Sequence, residues 1–240
     1  MEPFVVAIPS YHRADRQDTL QYLREVGFSV QRVFLVVQTE EDWAAYQKYK
    51  EWATTVYISA SGIAQARNNI LDYLSGRPIL MMDDDISQIS RLTENGLERV
   101  DDFEETFQKL FDRGSTLFGI YPVHNDFFMS RTVSTKVTVN TVLGFPADNK
   151  LRFDSSLLAK EDIDLCARIL DRGGNVIRYN YLAPKAKHRT NSGGCHDTWK
   201  TKANEAAARR LAMTYPKVIA RHPSKPDEVR VIIKDRKVKA

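Results

Sequence analysis

Three consecutive aspartates, Asp83, Asp84 and Asp85, directly follow the apolar run 78–82. Adjacent carboxylates repel one another unless a cation or hydrogen-bond donors lie among them. Magnesium and manganese meet this requirement, because these hard cations take carboxylate oxygens and bridge to the phosphates of a substrate. A solvated strand end or a helix N-cap can carry the same residues. We therefore predict a divalent metal, Mn²⁺ or Mg²⁺, at this triplet, and its position after a strand strengthens the prediction.

A glycine-led loop runs into a predicted helix over residues 62–69, one element before the aspartates. A helix N-terminus presents free backbone N–H groups and a partial positive charge, which favour phosphate. Arg67 can pair there with a phosphate or a sugar hydroxyl, and Asn68 follows it. The alternative is a surface ion pair for Arg67, with Asn68 incidental. On the functional interpretation, both residues bind a phosphorylated donor.

Glu161 and Asp162 lie in the acidic first turn of another predicted helix, 160–171. Carboxylates favour helix N-termini for electrostatic reasons alone. A carboxylate within hydrogen-bond reach of an acceptor hydroxyl can also remove its proton as the hydroxyl attacks. The pair therefore supplies candidate general bases.

A polar segment over residues 187–196 follows a predicted strand. His188 could complete the coordination of a metal, although a lone histidine is usually not a ligand. Lys187 or Arg189 could neutralise a leaving diphosphate. Two histidines, two basic residues and a Gly-Gly pair within ten positions favour a functional loop.

The elements that must position these residues alternate between strand and helix in the first half of the chain, which predicts a parallel sheet. Ligands of such sheets bind outside the carboxyl ends of the strands, where Ser10 and the aspartates stand. The predicted strands are 4–8, 32–37, 55–58 and 78–82, and the predicted helices are 18–26, 40–52 and 63–74.

The second half alternates less regularly, and we expect it to hold the acceptor. Its segment 124–128 mixes polar and aromatic residues, which could contact a flipped base or, as the simpler expectation, pack in the core. The predicted elements are helices at 101–112 and 160–171 and strands at 116–121, 132–142, 176–181 and, as a short piece, 228–234.

The 240 residues are 42% hydrophobic and 28% charged, the composition of an ordinary soluble globular protein with one sizeable core. The N-terminal residues lack the basic region and the apolar length of a signal peptide, and no run approaches a membrane span. We therefore expect a cytoplasmic protein without a membrane partner. Two cysteines are too few for a disulfide framework.

Charge is distributed unevenly along the chain. Residues 200–240 carry 12 Lys and Arg against 4 Asp and Glu, whereas the preceding residues are net acidic by 4. A basic segment of this kind fits a nucleic-acid partner, and a solvated basic tail is the alternative. The candidate nucleic-acid-binding residues are Lys200, Lys202, Arg209 and Arg210.

The order of these motifs resembles the GT-A fold glycosyltransferases over residues 4–188: Pro-Ser and Arg after the first strand, Ala-Arg-Asn, Asp-Asp-Asp, Glu-Asp and a late His. The resemblance implies an α/β fold with a Rossmann-like, mostly parallel sheet and helices on both faces. We accordingly predict a GT-A domain over 1–199 and a basic C-terminal helix and tail over 200–240, packed on that domain or extending from it.

The same resemblance implies roles for the motif residues. Asp162 would be the general base of an inverting enzyme, with Glu161 as the alternative. The donor site would include Arg67, Asn68, Asp84, Lys187 and Arg189 beside the positions that the fold family uses for the nucleotide. Those positions are Pro9, Ser10 and Arg13 at the base, Asp83 at the ribose, and Asp85 and His188 at the metal.

More narrowly, the stretches 7–14, 62–68 and 82–86 resemble the TET-associated glycosyltransferases of bacteriophages, which are implicated in attaching sugars to 5-hydroxymethylcytosine in DNA. The resemblance implies a nucleotide-sugar donor, in particular a UDP-sugar, a double-stranded DNA acceptor and, for a phage protein, the host cytoplasm. Three alternatives stay open: a glycan, lipid or protein acceptor, a nucleotidyltransferase, and a non-catalytic nucleic-acid-binding protein.

Overall fold

The first 82 residues form four parallel strands joined by helices, as the alternation of the sequence predicts. The structure is a computed structural model that describes residues 2–186 and 198–239, with side chains from residue 202 onward in the second range. Strand β1 lies between β2 and β4, and β3 lies outside β2. The strands are β1 (Val5–Ser10), β2 (Val33–Val37), β3 (Thr54–Tyr57) and β4 (Ile79–Met82), and the helices are α1 (Asp18–Glu25), α2 (Glu40–Tyr46) and α3 (Ile63–Tyr73).

Both faces of this sheet are buried, because successive side chains of a strand point to opposite faces. In β1, Val6 and Ile8 contribute to one hydrophobic cluster, whereas Val5 and Ala7 contribute to the other. Helices α1 and α4 (Phe103–Asp112) cover the first face, and α3 and α5 (Glu161–Asp171) cover the second. This is the layered α/β architecture that the apolar runs predict.

The second half of the chain extends the sheet to nine strands in the order β14-β8-β10-β7-β9-β4-β1-β2-β3. Strand β9 runs antiparallel to both β4 and β7, so β7 is parallel to β4, and β10 is parallel to β7. The carboxyl ends of β1, β4, β7 and β10 therefore meet at one edge. The added strands are β7 (Phe118–Ile120), β8 (Thr132–Ser134), β9 (Val142–Phe145), β10 (Ile177–Tyr179) and β14 (Lys237–Lys239).

The structure corrects the predicted elements at several places. The predicted strand 132–142 is two strands, β8 and β9, joined by a connection in which Thr141 has a positive φ of 55°. The predicted helix 40–52 ends at Tyr46 and continues as a short 3-10 turn. A small second sheet is absent from the sequence prediction. It consists of β5 (Ile86–Thr93), β6 (Gly96–Arg99) and β11 (Leu182–Ala186).

The basic C-terminal segment packs on the same body as the rest of the chain. Helix α6 (Thr198–Thr214) buries Leu211 in the second cluster, and a hairpin of β12 (Ile219–Arg221) and β13 (Val229–Val231) follows it. Strand β14 then pairs with β8. Within the described ranges, no helix is both long enough and apolar enough to cross a membrane.

Candidate active site

The aspartate triplet lies in the turn between β4 and β5, at the carboxyl edge of the central sheet. The backbone N–H of Asp83 donates to the carbonyl of Thr141 (3.0 Å). The Thr19 hydroxyl donates to the carbonyl of Asp83 (2.5 Å) and accepts from the N–H of Ile86 (2.9 Å). Because backbone groups on both sides of the turn are bound, the three carboxylates have fixed directions.

Arg67 lies beneath this turn and joins two of the predicted site carboxylates. It is 5% exposed, and its two terminal nitrogens donate to Glu161 Oε1 (2.7 Å) and Asp83 Oδ1 (3.1 Å). The guanidinium also lies 5.6 Å from the ring centroid of Phe153, within cation–π range. Arg67 is therefore a buried link between the β4 turn and the start of α5. Its contact with a donor phosphate or sugar hydroxyl stays a prediction.

The two carboxylates that share Arg67 hold protons more tightly than usual. Burial raises the pKa of Glu161 to about 6, although Arg67 pulls it down. Desolvation also raises the pKa of Asp83, and the neighbouring Asp85 and Asp84 act in the same direction against Arg67. The charge of the cluster therefore changes in the mildly acidic range.

Asp84 is buried and connects the β4 turn to the loop after β1. Its Oδ2 accepts from the Ser10 hydroxyl (2.6 Å), and its Oδ1 accepts from the Arg13 guanidinium (2.6 Å). The Ser10 oxygen also accepts from the Gln17 amide (2.9 Å). A carboxylate with these partners holds the β1 loop in place. The sequence predicts Asp84 at the donor site but does not indicate this supporting role.

Helix α2 holds the same β1 loop from the other side. Asp42 accepts from the backbone N–H of His12 (3.1 Å), a residue with a positive φ of 52°. The Tyr46 hydroxyl accepts from the N–H of Arg13 (2.9 Å) and lies 2.7 Å from the Ser10 oxygen. Sequence reasoning missed both residues, because their partners lie 30 or more positions away.

Pro9 and Ser10 are buried in β1, whereas the next residue, Tyr11, is 46% exposed. The Tyr11 ring lies 3.9 Å, centroid to centroid, from the His12 ring. Pro9 and Ser10, which the sequence predicts to contact the donor, are therefore buried residues that support the loop after β1. Tyr11 and His12, which the sequence analysis did not select, offer the aromatic surface there.

Asp85 is the third member of the triplet, and its Oδ2 lies 3.8 Å from Arg13 Nη1. No group of three or more metal-binding side chains occurs within residues 2–186 and 202–239. Magnesium is commonly held by one or two carboxylates together with substrate phosphates and water. One edge carboxylate therefore fits a metal that arrives with a phosphorylated donor.

Asp162 lies beside Glu161 in the first turn of α5 and is half-buried, whereas Glu161 is buried. Its Oδ1 accepts from the N–H of Ile163 (2.7 Å). Of the two candidate bases, Asp162 is thus more accessible to an acceptor, and Glu161 is held by Arg67. The charge of Asp162 raises the pKa of Asp83. Glu161 and Asp83 share one cation, Arg67.

Asn68 holds the segment that precedes α5. Its amide donates to the carbonyl of Phe153 (3.0 Å), and its carbonyl accepts from the Phe153 N–H (2.7 Å). This reciprocal pair positions the ring that covers Arg67. The structure therefore gives Asn68 a supporting place, and its predicted donor contact stays a prediction.

The remaining predicted residues are placed unevenly. Lys187, His188 and Arg189 lie outside the described residues, as does the side chain of Lys200. Lys202 is exposed on α6. Arg209 pairs with Glu205 (3.4 Å), and Arg210 pairs with Asp154 (2.8 Å) on the body of the protein. The two arginines are therefore partly engaged within the chain.

The expectation that segment 124–128 packs in the core is wrong for its aromatic residues. Phe127 is 83% exposed and Phe128 is 57% exposed, and their rings form an edge-to-face pair with centroids 5.0 Å apart. The loop that carries them follows β7 and so lies at the same edge as the aspartates.

A family model matches most of the chain. The family is described as TET-Associated Glycosyltransferase, and the match covers residues 4–194. This span includes every element that carries the site from β1 to α5. No curated protein matches the sequence significantly.

Solved structures show which fold the chain shares. S. aureus TarS 1–349 is 15% identical with a TM-score of 0.56 over 88% of this chain and 65% of that one, so this chain spans just under two thirds of it. The same fragment in complex with UDP is 14% identical, with a TM-score of 0.54 over 88% of this chain and 66% of that one. CMP:2-keto-3-deoxy-manno-octonic acid synthetase complexed with CTP is 12% identical, with a TM-score of 0.50 over 90% of this chain and 100% of that one. The chain thus has the GT-A fold.

Proposed function

Because the chain belongs to the TET-associated glycosyltransferase family, we propose that it transfers a sugar from a nucleotide-sugar donor to the hydroxymethyl group of 5-hydroxymethylcytosine in DNA. A UDP-sugar is the proposed donor. The observation that carries the proposal is the aspartate turn at the carboxyl end of β4, joined through Arg67 to the carboxylates that open α5. The aspartate turn and the carboxylates at the start of α5 thereby lie together, which supports the proposal.

The donor side of the proposal rests on the β1 loop and the β4 turn. Ligands of parallel α/β sheets bind at the carboxyl edge, where Ser10, Asp84 and Arg13 interlock. The similar TarS fragment has been solved with UDP. We infer that the nucleotide lies against Tyr11 and Arg13, with Asp83 at the ribose. Ser10, Pro9 and Asp84 would hold this surface in place.

A divalent cation, Mn²⁺ or Mg²⁺, is part of the proposal. Asp85 would hold it together with the donor diphosphate, and His188 would add a ligand from outside the described residues. When bound, the cation would supply positive charge for the leaving diphosphate. Lys187 and Arg189 would also help to neutralise the negative charge of the leaving diphosphate.

The acceptor side of the proposal rests on α5. Asp162 would take the proton of the acceptor hydroxyl as that oxygen attacks the anomeric carbon and the bond to the diphosphate breaks. Glu161, paired with Arg67, would hold the start of α5 in position. One base acting in a single displacement implies inversion at the anomeric carbon. Lys200, Lys202, Arg209 and Arg210 would contact the DNA backbone, the arginines after exchanging Glu205 and Asp154 for phosphate.

The test is to incubate the protein with a hydroxymethylated duplex, a panel of nucleotide sugars and Mn²⁺, and to weigh the digested nucleosides by mass spectrometry. We expect 5-hydroxymethyldeoxycytidine to gain the mass of one sugar with one donor. Asp85→Asn should abolish the gain at low Mn²⁺. Asp148→Asn, on an exposed loop at the opposite end of β9, is the matched control and should behave as the wild type.

Other outcomes would assign other functions. No mass gain with any donor would refute the proposal that DNA is the acceptor. Sugar transfer to a glycan or a protein would identify that molecule as the acceptor instead. Release of pyrophosphate in place of nucleoside diphosphate would identify a nucleotidyltransferase. Duplex binding without turnover, unaffected by Asp85→Asn, would identify a non-catalytic DNA-binding protein.

A further inference from the structure

The loop between β7 and β8, residues 121–131, lies at the catalytic edge and exposes apolar side chains. Val123, Phe127 and Phe128 are 47%, 83% and 57% exposed, so three large hydrophobic side chains of one short loop face solvent. Single exposed apolar residues are common on proteins, whereas adjacent ones mark contact sites. This exposed cluster of three hydrophobic side chains is therefore a candidate contact site for a binding partner.

The aromatic pair is held in a fixed geometry. A 3-10 turn, Asp126–Phe128, begins after Asn125, whose side chain accepts from the N–H of Phe127 (3.0 Å). The following residue, Met129, is buried, and the N–H of Ser130 donates to the carbonyl of Asn180 (3.2 Å). Because both sides of the turn are anchored, the rings can bind a partner with little loss of entropy.

The strand that follows this loop pairs with a basic edge strand. In the register of β8 with β14, Lys239 lies opposite Thr132 and Lys237 opposite Ser134. Asp235 fixes the pairing, since it accepts from the Ser134 hydroxyl (2.6 Å) and from the N–H of Thr135 (3.1 Å). The basic side chains here are all exposed; they are Lys234, Arg236, Lys237 and Lys239.

The polarity of the sheet places the basic strand beside the aromatic pair. Strand β8 is antiparallel to β10, and β14 is antiparallel to β8, so Lys239 and Thr132 lie at the catalytic edge. Thr132 lies four positions after Phe128, a Cα distance of about 14 Å at most. Adding about 5 Å across the strand pair brings Lys239 within about 20 Å of Phe128, the length of about six base pairs.

We propose that Phe127 and Phe128, together with the basic strand β14, form the surface that receives the DNA acceptor. The phenylalanine rings stack on a nucleobase beside the target, and Lys237 and Lys239 neutralise phosphates on the flanking backbone. Aromatic side chains stack on unpaired bases or insert between the base steps of a duplex, and neighbouring basic side chains bind phosphates whatever the sequence. This inference rests on the proposed function and locates its acceptor site on β8 and β14, apart from the α6 residues that the sequence selected.

The test measures binding of the full chain to a 20-base-pair duplex containing one 5-hydroxymethylcytosine, by fluorescence anisotropy across a salt series. Lys237→Gln/Lys239→Gln should lower the slope of log affinity against log salt by about 2. Phe127→Ala/Phe128→Ala should weaken binding about fivefold or more at every salt concentration, with the slope unchanged. Lys50→Gln/Lys109→Gln and Tyr73→Ala, which alter exposed residues elsewhere, are the matched controls.

A spectroscopic variant tests the stacking directly. Phe127→Trp should show emission that duplex quenches, beyond the change in the wild-type tryptophans, and the same duplex should not quench Tyr73→Trp. Quenching equal in both variants would overturn the stacking.

Failure of this surface and failure of the proposed function give different results. If the wild type glycosylates DNA but both double variants bind like the controls, the surface is refuted and the function stands. If the double variants lose binding as expected but no donor is used, the surface stands and the function is refuted. Absence of duplex binding by the wild type at low salt would refute the surface.

Discussion

Replacing Arg67 with methionine tests whether this arginine is a structural link or a donor ligand. The methionine keeps most of the length of the side chain and removes the cation that Glu161 and Asp83 share at 2.7 and 3.1 Å. Removing one partner of a buried ion pair costs about 3–5 kcal/mol, because the other charge stays buried. We take about 3 kcal/mol, since Glu161, whose pKa is already about 6, can become neutral by binding a proton.

The assay is urea unfolding of the donor-free protein at pH 7.5, with thermal melting as a second measure. A loss of about 3 kcal/mol corresponds to a fall in Tm of about 6–12 °C for a chain of this length. Arg152→Met is the control, because Arg152 pairs with Asp72 at the surface and its removal should cost about 1 kcal/mol or less.

The pH dependence follows from the raised pKa of Glu161. The attraction to Arg67 requires an ionised carboxylate. The difference in the free energy of unfolding between wild type and Arg67→Met should therefore be smallest below about pH 6, where Glu161 is neutral in both proteins, and should increase as pH rises above 6. In a double-mutant cycle with Glu161→Gln, the two losses should fall short of additivity by about 1 kcal/mol or more. A loss below about 1 kcal/mol that is additive and independent of pH would refute the link and return Arg67 to the donor.

Three further predictions concern the base, the β1 loop and the sheet. Asp162→Asn should lower kcat about 10²- to 10⁴-fold with little change in the donor KM in steady-state kinetics; a fall of less than tenfold would assign the base elsewhere. Asp84→Asn should raise the donor KM and lower the free energy of unfolding by about 1.5–3 kcal/mol, because Arg13 loses a charged partner; unchanged values in both measurements would contradict the interlock. Gly144→Ala should cost about 1–3 kcal/mol in urea unfolding, because the added Cβ overlaps the ring of Phe118; an unchanged midpoint would show that the ring can move aside.

The parallel half of the sheet could be predicted because its information is local. The apolar runs that form β1, β2 and β4 are bounded by polar residues and by glycine or proline, and each has the length of one strand. Once the strands are parallel, the residues after them must meet at one edge. The prediction of the aspartates as the centre of the site therefore needed no long-range contact.

The partners of the site residues could not be predicted, because they depend on how distant elements pack. Arg67 and Glu161 are 94 positions apart, and nothing near either residue identifies the other. The β5–β6 hairpin did carry a local sign, since Asn95-Gly96 is a preferred turn dipeptide and Gly96 has a positive φ of 104°. The exposure of Phe127 carried none, because aromatic residues in an apolar context ordinarily favour burial.

The pairing of β14 with β8 also affects how the protein is made. Residues more than 100 positions apart in the chain complete the pair, as the contact between Ser134 and Asp235 shows. At about 5–20 residues per second, a ribosome needs about 5–20 s to synthesise that interval. Throughout it, one side of β8 offers unpaired backbone groups to any strand nearby. We infer that nascent chains are most prone to mispairing in this interval, and that slow translation through α6 would lengthen the exposure.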